Sequence, residues 1–295
     1  MLSPVARIAI IGGGSIGEAL LAGLKRSGRQ VKDLVVAERM PHRAKYIAHT
    51  YSVLVTSVAD AVENATFVIV AVKPSDVESV ISEIGEAVAQ ADQDSAEQVF
   101  VTVAAGVNTA YYESKLPAGS AVVRAMPNAP ALVGAGISAL AKGRFATGEQ
   151  LQDVSALFEC VGKVVTVPEV QLDAVTAVSG SGPAYFFLMA EALVDAAVAE
   201  GVTRQVATDL VANTLAGSAA MMTEQSDRRR QPADDPALGA AVDTTAAQLR
   251  ATVTSPGGTT AAGLRELERG GLRAAVDAAV RAAKRRAQEP GIASE

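Results

Sequence analysis

The sequence predicts an α/β protein, with an N-terminal Rossmann-type doubly wound sheet over residues 1–168 and an all-α domain over residues 169–295. Three observations carry this. Apolar β-branched runs of strand length alternate with helical stretches from Arg7 to Val167, the rhythm of a mostly parallel sheet. The first such run opens into a glycine cluster that leads into a helix. Beyond residue 168 only helical patterns follow.

Taken in order, Arg7 to Ile11 reads as a strand buried on both faces. It runs into Gly12-Gly13-Gly14-Ser15-Ile16-Gly17, a G-x-G-x-x-G pattern, and Glu18 to Ser27 reads as the helix beyond. Gly12 allows the tight turn, Gly14 lets a pyrophosphate approach the backbone, and Gly17 lets the helix pack on the sheet. Dinucleotide binding at Gly12, Gly14, Ser15, Ile16 and Gly17 is therefore expected, the alternative being a structural glycine turn. Leu34 to Ala37 is the second strand and ends at Glu38-Arg39, about twenty residues past the glycines. Glu38 there would hold a ribose 2′-hydroxyl and favour NADH. Arg39, with His42 and Arg43 after Pro41, would instead pair with a 2′-phosphate and favour NADPH. The two signals conflict, and a third reading makes all these charges decoration of an exposed helix start.

Phe67 to Val72 reads as a strand ending in Lys73-Pro74, with a helix from Ser75 to Gln90 and a polar surface loop from Ala91 to Glu97. Val99 to Val103 delivers Ala104-Ala105-Gly106 to the same sheet edge, where small residues suit either a nicotinamide ribose or a cramped turn. A helix (Thr109 to Lys115), a strand (Ala121 to Ala125) and an irregular loop, Met126-Pro127-Asn128-Ala129-Pro130, follow. Ile137 to Ala141 and Val164 to Val167 close the sheet around a helix from Gly148 to Cys160.

In the second half, Ser179-Gly180-Ser181-Gly182-Pro183 opens a helix, with Pro183 near its first turn. Ala184 to Glu200 is apolar on nearly every face, interrupted by Glu191 and Asp195. A helix apolar all round must be buried all round, and this domain is too small to surround it, so a partner chain is expected. Thr203 to Thr223 is a further helix, Arg228 to Pro236 a charged loop, and Ala237 to Arg250 a short helix. Leu272 to Gln288 closes the chain, with basic residues at its C-terminal dipole.

Between these last helices lies Val253-Thr254-Ser255-Pro256-Gly257-Gly258-Thr259-Thr260. Pro256-Gly257-Gly258 is turn chemistry, and Thr259 and Thr260 sit where a helix begins. Such a turn exposes unpaired N–H groups that suit a small carboxylate. A tight interhelical turn with a threonine cap explains the local pattern equally well.

Composition limits the function classes. The net charge of −6 argues against a general nucleic-acid binder. One cysteine, Cys160, excludes internal disulfides and fits a reducing cytoplasm. Met1 to Arg7 leads into a short apolar run that ends at glycines, so no signal peptide is expected, and no uncharged run reaches membrane-spanning length. A soluble cytoplasmic protein with neither membrane nor nucleic acid as partner is expected. With His42 and His49 the only histidines, no metal cluster, Cys–His pair or Ser–His–Asp set is available. Hydride transfer fits such a site, because the cofactor carries the hard chemistry. A protonated C=N bond fits better than a ketone, since it needs no strong enzyme acid.

With these motifs the chain resembles the pyrroline-5-carboxylate reductases, which catalyse the last step of proline biosynthesis. The resemblance rests on Met126-Pro127-Asn128, on the run Leu172 to Tyr185 and on Ser255-Pro256-Gly257-Gly258-Thr259-Thr260; Ala71-Val72-Lys73-Pro74 and Ala104-Ala105-Gly106 resemble the family's cofactor loops. It implies a helical dimerisation domain after the Rossmann domain, interlocked homodimers that often assemble into decamers, and NADPH as the usual donor. It also implies that Asn128 lies among the cofactor residues and that Thr260 donates a hydrogen bond to the imine nitrogen. Ser255, Gly257, Gly258 and Thr259 would bind the carboxylate of the imino acid substrate. Glu224, in Thr223-Glu224-Gln225, resembles an acidic residue near the ring nitrogen. Two departures stand out: an extra segment roughly within Ser226 to Ala247, and Glu38 where the family often has a neutral residue. The rival readings are another imine or 3-hydroxyacid-type reductase, and a non-catalytic NAD(P)-binding regulator. The former would place a lysine on the long helix, and Ala184 to Glu200 has none.

Overall fold

The computed structural model describes residues 6–90, 97–230 and 244–289. One compact unit runs to Pro183 and takes in the chain from Val280, and the other is Ala184–Ala279.

The first unit is built on eight strands: β1 (Ile8–Ile11), β2 (Leu34–Ala37), β3 (Leu54–Thr56), β4 (Phe67–Val70), β5 (Val99–Thr102), β6 (Ala121–Met126), β7 (Gly136–Lys142) and β8 (Gly162–Thr166), in the spatial order β3-β2-β1-β4-β5-β6-β7-β8. Between them run α1 (Ser15–Arg26), α2 (Pro41–Tyr51), α3 (Val58–Val62), α4 (Val77–Gln90), α5 (Thr109–Lys115) and α6 (Gly148–Phe158). All neighbouring pairs are parallel except β6 with β7. There the link is a single 3-10 turn, Ala129–Val133, and a connection with no crossover helix permits only antiparallel return.

Alternation along each strand sends successive side chains to opposite faces. Ile8 and Ile10 pack with Leu20, Leu21 and Leu24 of α1 and Phe158 of α6, whereas Ala9 and Ile11 pack with Ile81 and Ile84 of α4 and Tyr112 of α5. Each fully buried leucine contributes about 1.5–3 kcal/mol, so the leucine face holds α1 more firmly than a cap of about 1 kcal/mol.

Several boundaries differ from the sequence expectation. Helix α1 starts at Ser15, inside the glycine motif, because Gly14 serves as its N-cap. The chain between Arg39 and Thr66 holds β3 and α3 as well as α2; β3 is a three-residue edge strand with Leu54 exposed, too short to show a period. Residues 91–96, read as a surface loop, lie outside the described residues.

After β8, α7 (Leu172–Val175), a π turn (Thr176–Gly180) and α8 (Gly182–Ala199) follow one another as a single helical run, so helix begins well before Ser179. The Ser181 N–H reaches back five residues to the Thr176 carbonyl at 2.9 Å, the bond that defines a π bulge. The run Glu169–Ala199 is, by length and composition alone, apolar enough to cross a membrane. Glu191 and Asp195 interrupt it, so it is not an uncharged run.

The second unit holds most of α8, with α9 (Arg204–Arg230), α10 (Thr245–Thr252), α11 (Thr259–Arg269) and the start of α12 (Leu272–Gln288). Val194 of α8 and Ala207 of α9 are buried, and Asp195 accepts from Arg204 at 2.8 Å. Outward, α8 exposes Phe186, Phe187 (71%) and Leu188 (68%). Helix α9 continues through Arg228–Arg230, expected to be loop, because Glu224 and Arg228 pair at i,i+4. Residues 231–243, which hold most of the extra segment and the expected start of the helix at Ala237, lie outside the described residues.

Candidate active site

The turn after β1 admits only glycine at two points. Gly12 has φ +105°, and a Cβ there would lie 2.6 Å from the Ala71 carbonyl oxygen; a Cβ on Gly17 would lie 2.0 Å from the Gly12 carbonyl oxygen. Gly14 is different: nothing stands within 4 Å of its Cβ position. No side chain caps α1, so the N–H groups of Ser15, Ile16 and Gly17 form an open, positively polarised helix mouth. This geometry fits a dinucleotide diphosphate.

A cleft of about 530 Å³ opens beside the turn, lined by Gly12, Gly14, Glu38, Arg39, Ala71, Val72 and Lys73 among others. It lies where the sheet order reverses, with β2 and β3 on one side of β1 and β4 and β5 on the other. Pro74 starts a 3-10 turn (Pro74–Asp76) immediately beyond Lys73.

The charged residues expected here take separate roles. Glu38 turns its carboxylate inward, accepting the Gly13 N–H and the Met40 N–H, each at 2.8 Å. Arg43 donates from Nε to the Gly13 carbonyl at 2.6 Å and pairs with Glu18, so the Gly13 peptide is held from both sides. Arg43 is not among the cleft-lining residues. Arg39 is, and both of its terminal nitrogens donate to Asp76, at 3.1 and 3.0 Å. Burial works to raise the Glu18 carboxyl, but hydrogen bonds from Arg43, Tyr51 and Tyr46 outweigh it and hold the group below its ordinary range. Burial, then the bond to Glu18, pushes the Tyr51 phenol up to about 12.

Glu18, Met40, Thr56, Ser57 and Asp76 escaped the sequence reading. Asp76 carried a legible signal, being an acid three residues after Lys73 at the start of a helix; the others depend on tertiary placement.

Ala104, Ala105 and Gly106 follow the end of β5 at Thr102, farther along the same sheet edge. The Ala104 N–H donates to Thr102 Oγ1, which itself donates to the Tyr112 hydroxyl at 2.6 Å. Asn128 commits both ends of its side chain to backbone, accepting the Ile137 N–H at 2.9 Å and donating to the Ser179 carbonyl at 3.2 Å. Nearby Arg124 is 5% exposed and flanked by Glu169 (3.5 Å) and Asp173 (3.6 Å). Glu169 also accepts both the N–H and the hydroxyl of Thr109, each at 2.7 Å.

In the second unit, Gly257 takes φ +71°, and the Gly258 N–H bonds the Ser255 carbonyl at 3.1 Å. Gly258 is the N-cap of α11 without a side-chain cap, and Thr259 and Thr260 are its first residues, both exposed. The loop therefore presents a second uncapped helix mouth with hydroxyls beside it, suited to a carboxylate. Glu224 is not joined to this loop by a hydrogen bond; it accepts from Arg228 at 2.6 Å on an exposed face of α9. Among the described residues no cluster of His, Cys, Asp and Glu is arranged to hold a metal.

The chain is similar to known proteins. Residues 7–106 match a family described as NADP oxidoreductase, coenzyme F420-dependent, and residues 169–290 match one described as pyrroline-5-carboxylate reductase dimerisation. A pyrroline-5-carboxylate reductase of Mycobacterium leprae is 72% identical over 295 residues, covering 100% of both chains. The chain belongs to the pyrroline-5-carboxylate reductase family.

Solved structures of pyrroline-5-carboxylate reductases agree with the fold. That from Coxiella burnetii superposes with a TM-score of 0.83 at 32% identity, covering 97% of this chain and 98% of its own. A pyrroline carboxylate reductase from Plasmodium falciparum, solved with NADP bound, gives 0.78 at 26% identity over 97% of this chain and 98% of its own. The helical half, with α8 uncovered in a single chain, is thus the half that matches the reductase dimerisation domain.

Proposed function

We propose that this chain reduces L-1-pyrroline-5-carboxylate to L-proline, taking hydride from NADPH and accepting NADH as an alternative. The observation that supports this most is the 72% identity to a pyrroline-5-carboxylate reductase along the whole chain, joined to two uncapped helix mouths of the kinds the reaction needs.

Residues 1–168 serve the cofactor and residues 169–295 the substrate and subunit contacts. The N–H groups of Gly14 to Gly17 hold the diphosphate, and Arg39 is the cation offered to a 2′-phosphate, since Arg43 is spent on Glu18 and Gly13. Bound NADPH supplies a hydride from nicotinamide C4. The N–H groups of Ser255, Gly257 and Thr259 hold the substrate carboxylate, the Gly258 N–H being bonded to the Ser255 carbonyl, and the Thr260 hydroxyl oxygen accepts from the iminium N–H, fixing the C=N bond for attack. A hydroxyl is a poor acid, so the imine enters already protonated. Glu224 favours that iminium form by exchanging its Arg228 partner for the substrate nitrogen.

We place the enzyme in the cytoplasm as a homodimer, with a decamer as the further assembly. A second chain rather than lipid covers α8: the match to a dimerisation family begins at residue 169, and Glu191 and Asp195 interrupt the apolar face. Steady-state oxidation of NADPH and NADH with pyrroline-5-carboxylate tests the proposal. Turnover with a higher kcat/KM for NADPH is expected, and cofactor binding without turnover would leave only a non-catalytic binding protein.

A further inference from the structure

The cofactor cleft holds a contact that no cofactor role explains. Arg39 and Lys73 are its lining cations, set against Glu38, Asp76 and Glu83. Glu38 is partly neutralised by the two backbone N–H groups it accepts. Asp76 is not turned away in this sense: it takes the Arg39 guanidinium through both oxygens, the two-pronged geometry that a phosphate would use. The Arg39 side chain is 71% exposed and that of Asp76 22%, so the arginine is the mobile partner. Asp76 sits on a fixed 3-10 turn, its N–H bonded to the Lys73 carbonyl at 2.9 Å, next to the start of α4.

We propose that Asp76 sets cofactor selectivity by competing with the 2′-phosphate for Arg39. Asp76 holds Arg39 parked against the 3-10 turn. A 2′-phosphate must displace the carboxylate and then stand beside its charge, whereas a 2′-hydroxyl meets neither penalty. Asp76 thus narrows the preference for NADPH that Arg39 confers, and keeps NADH usable. The inference rests on the NADPH reading above, but it concerns the 2′ end of the cofactor and is read without the imino acid.

Isothermal titration of NADP⁺ and NAD⁺ into the full chain tests it, using wild type, Asp76→Asn, Arg39→Gln and the double variant. An exposed ion pair is worth up to about fivefold and the removed charge adds to it, so Asp76→Asn should tighten NADP⁺ by about threefold to tenfold. It should leave NAD⁺ within about twofold. Arg39→Gln should weaken NADP⁺ more than NAD⁺, and in that background Asp76→Asn should bring much less gain. Equal effects on both nucleotides, weaker NADP⁺ binding in Asp76→Asn, or a full gain without Arg39 would each overturn the assignment. Failure of wild type to bind either nucleotide would overturn it together with the cofactor reading. Nucleotide binding that follows the expected pattern without proline formation would instead uphold it and reject only the substrate.

Discussion

The Asn128 side-chain amide donates to the Ser179 carbonyl at 3.2 Å, in the place where a helix would have its next N–H. Four residues on stands Pro183, which has none. The π turn at Thr176–Gly180 shifts the ladder, and Asn128 takes up the carbonyl that the proline leaves. Asn128 was expected among the cofactor residues; its observed contacts make it a clamp between the start of β7 and the π turn.

Replacing Asn128 by Ala removes both bonds and leaves the Ser179 carbonyl and the Ile137 N–H unsatisfied. We expect a loss of about 1–3 kcal/mol in stability, measured by urea unfolding, with nucleotide affinity changed by less than about threefold. A large drop in affinity with unaltered stability would return Asn128 to the cofactor.

Glu18 makes stability depend on acidity. Its folded value lies below the ordinary 4.5, so the contribution is complete above 4.5 and is lost as pH falls through the lower folded value. At neutral pH, Glu18→Gln should cost about 1.5–3 kcal/mol, the range for hydrogen bonds to a charged group. The gap in Tm from wild type should shrink as pH drops below 4.5. A gap that stays constant down to strong acid would contradict the network.

Much of this was legible in the chain because each feature had a local cause. Strand β2, helix α5 and helix α12 fall on the expected residues, since four apolar residues, an Asn cap and a leucine-to-glutamine period each declare themselves. The glycine turn and the Ser255–Thr260 loop were readable because turn chemistry is local. Other features need tertiary context: β3 exists through pairing with β2, and the π turn makes sense only with Asn128 beside it. Arg43 looked like a phosphate ligand until Glu18, in the first turn of another helix, was seen to hold it.

The exposed apolar face of α8 requires a second chain. Wild type should sediment as a dimer or larger in analytical ultracentrifugation. Changing both Phe187 and Leu188 to Glu removes two apolar side chains worth about 1.5–3 kcal/mol each when buried, so dissociation should weaken the oligomer by more than about a hundredfold. A monomeric wild type at micromolar concentration would contradict this.

Thr260 should matter to the substrate and not to the cofactor. Thr260→Ala should lower kcat/KM for pyrroline-5-carboxylate on the order of tenfold, the loss of one hydrogen bond at the reacting nitrogen. NADP⁺ affinity should be unchanged. An unaltered rate would remove Thr260 from the mechanism.

The most direct measurement follows the hydride itself. NADPH carrying deuterium at both C4 positions is incubated with the enzyme and pyrroline-5-carboxylate, and the proline formed is examined by mass spectrometry and NMR. We expect one deuterium per proline, on the carbon that was double-bonded to nitrogen. Proline without the label, or oxidation of the nucleotide with no proline formed, would contradict direct transfer from cofactor to imine.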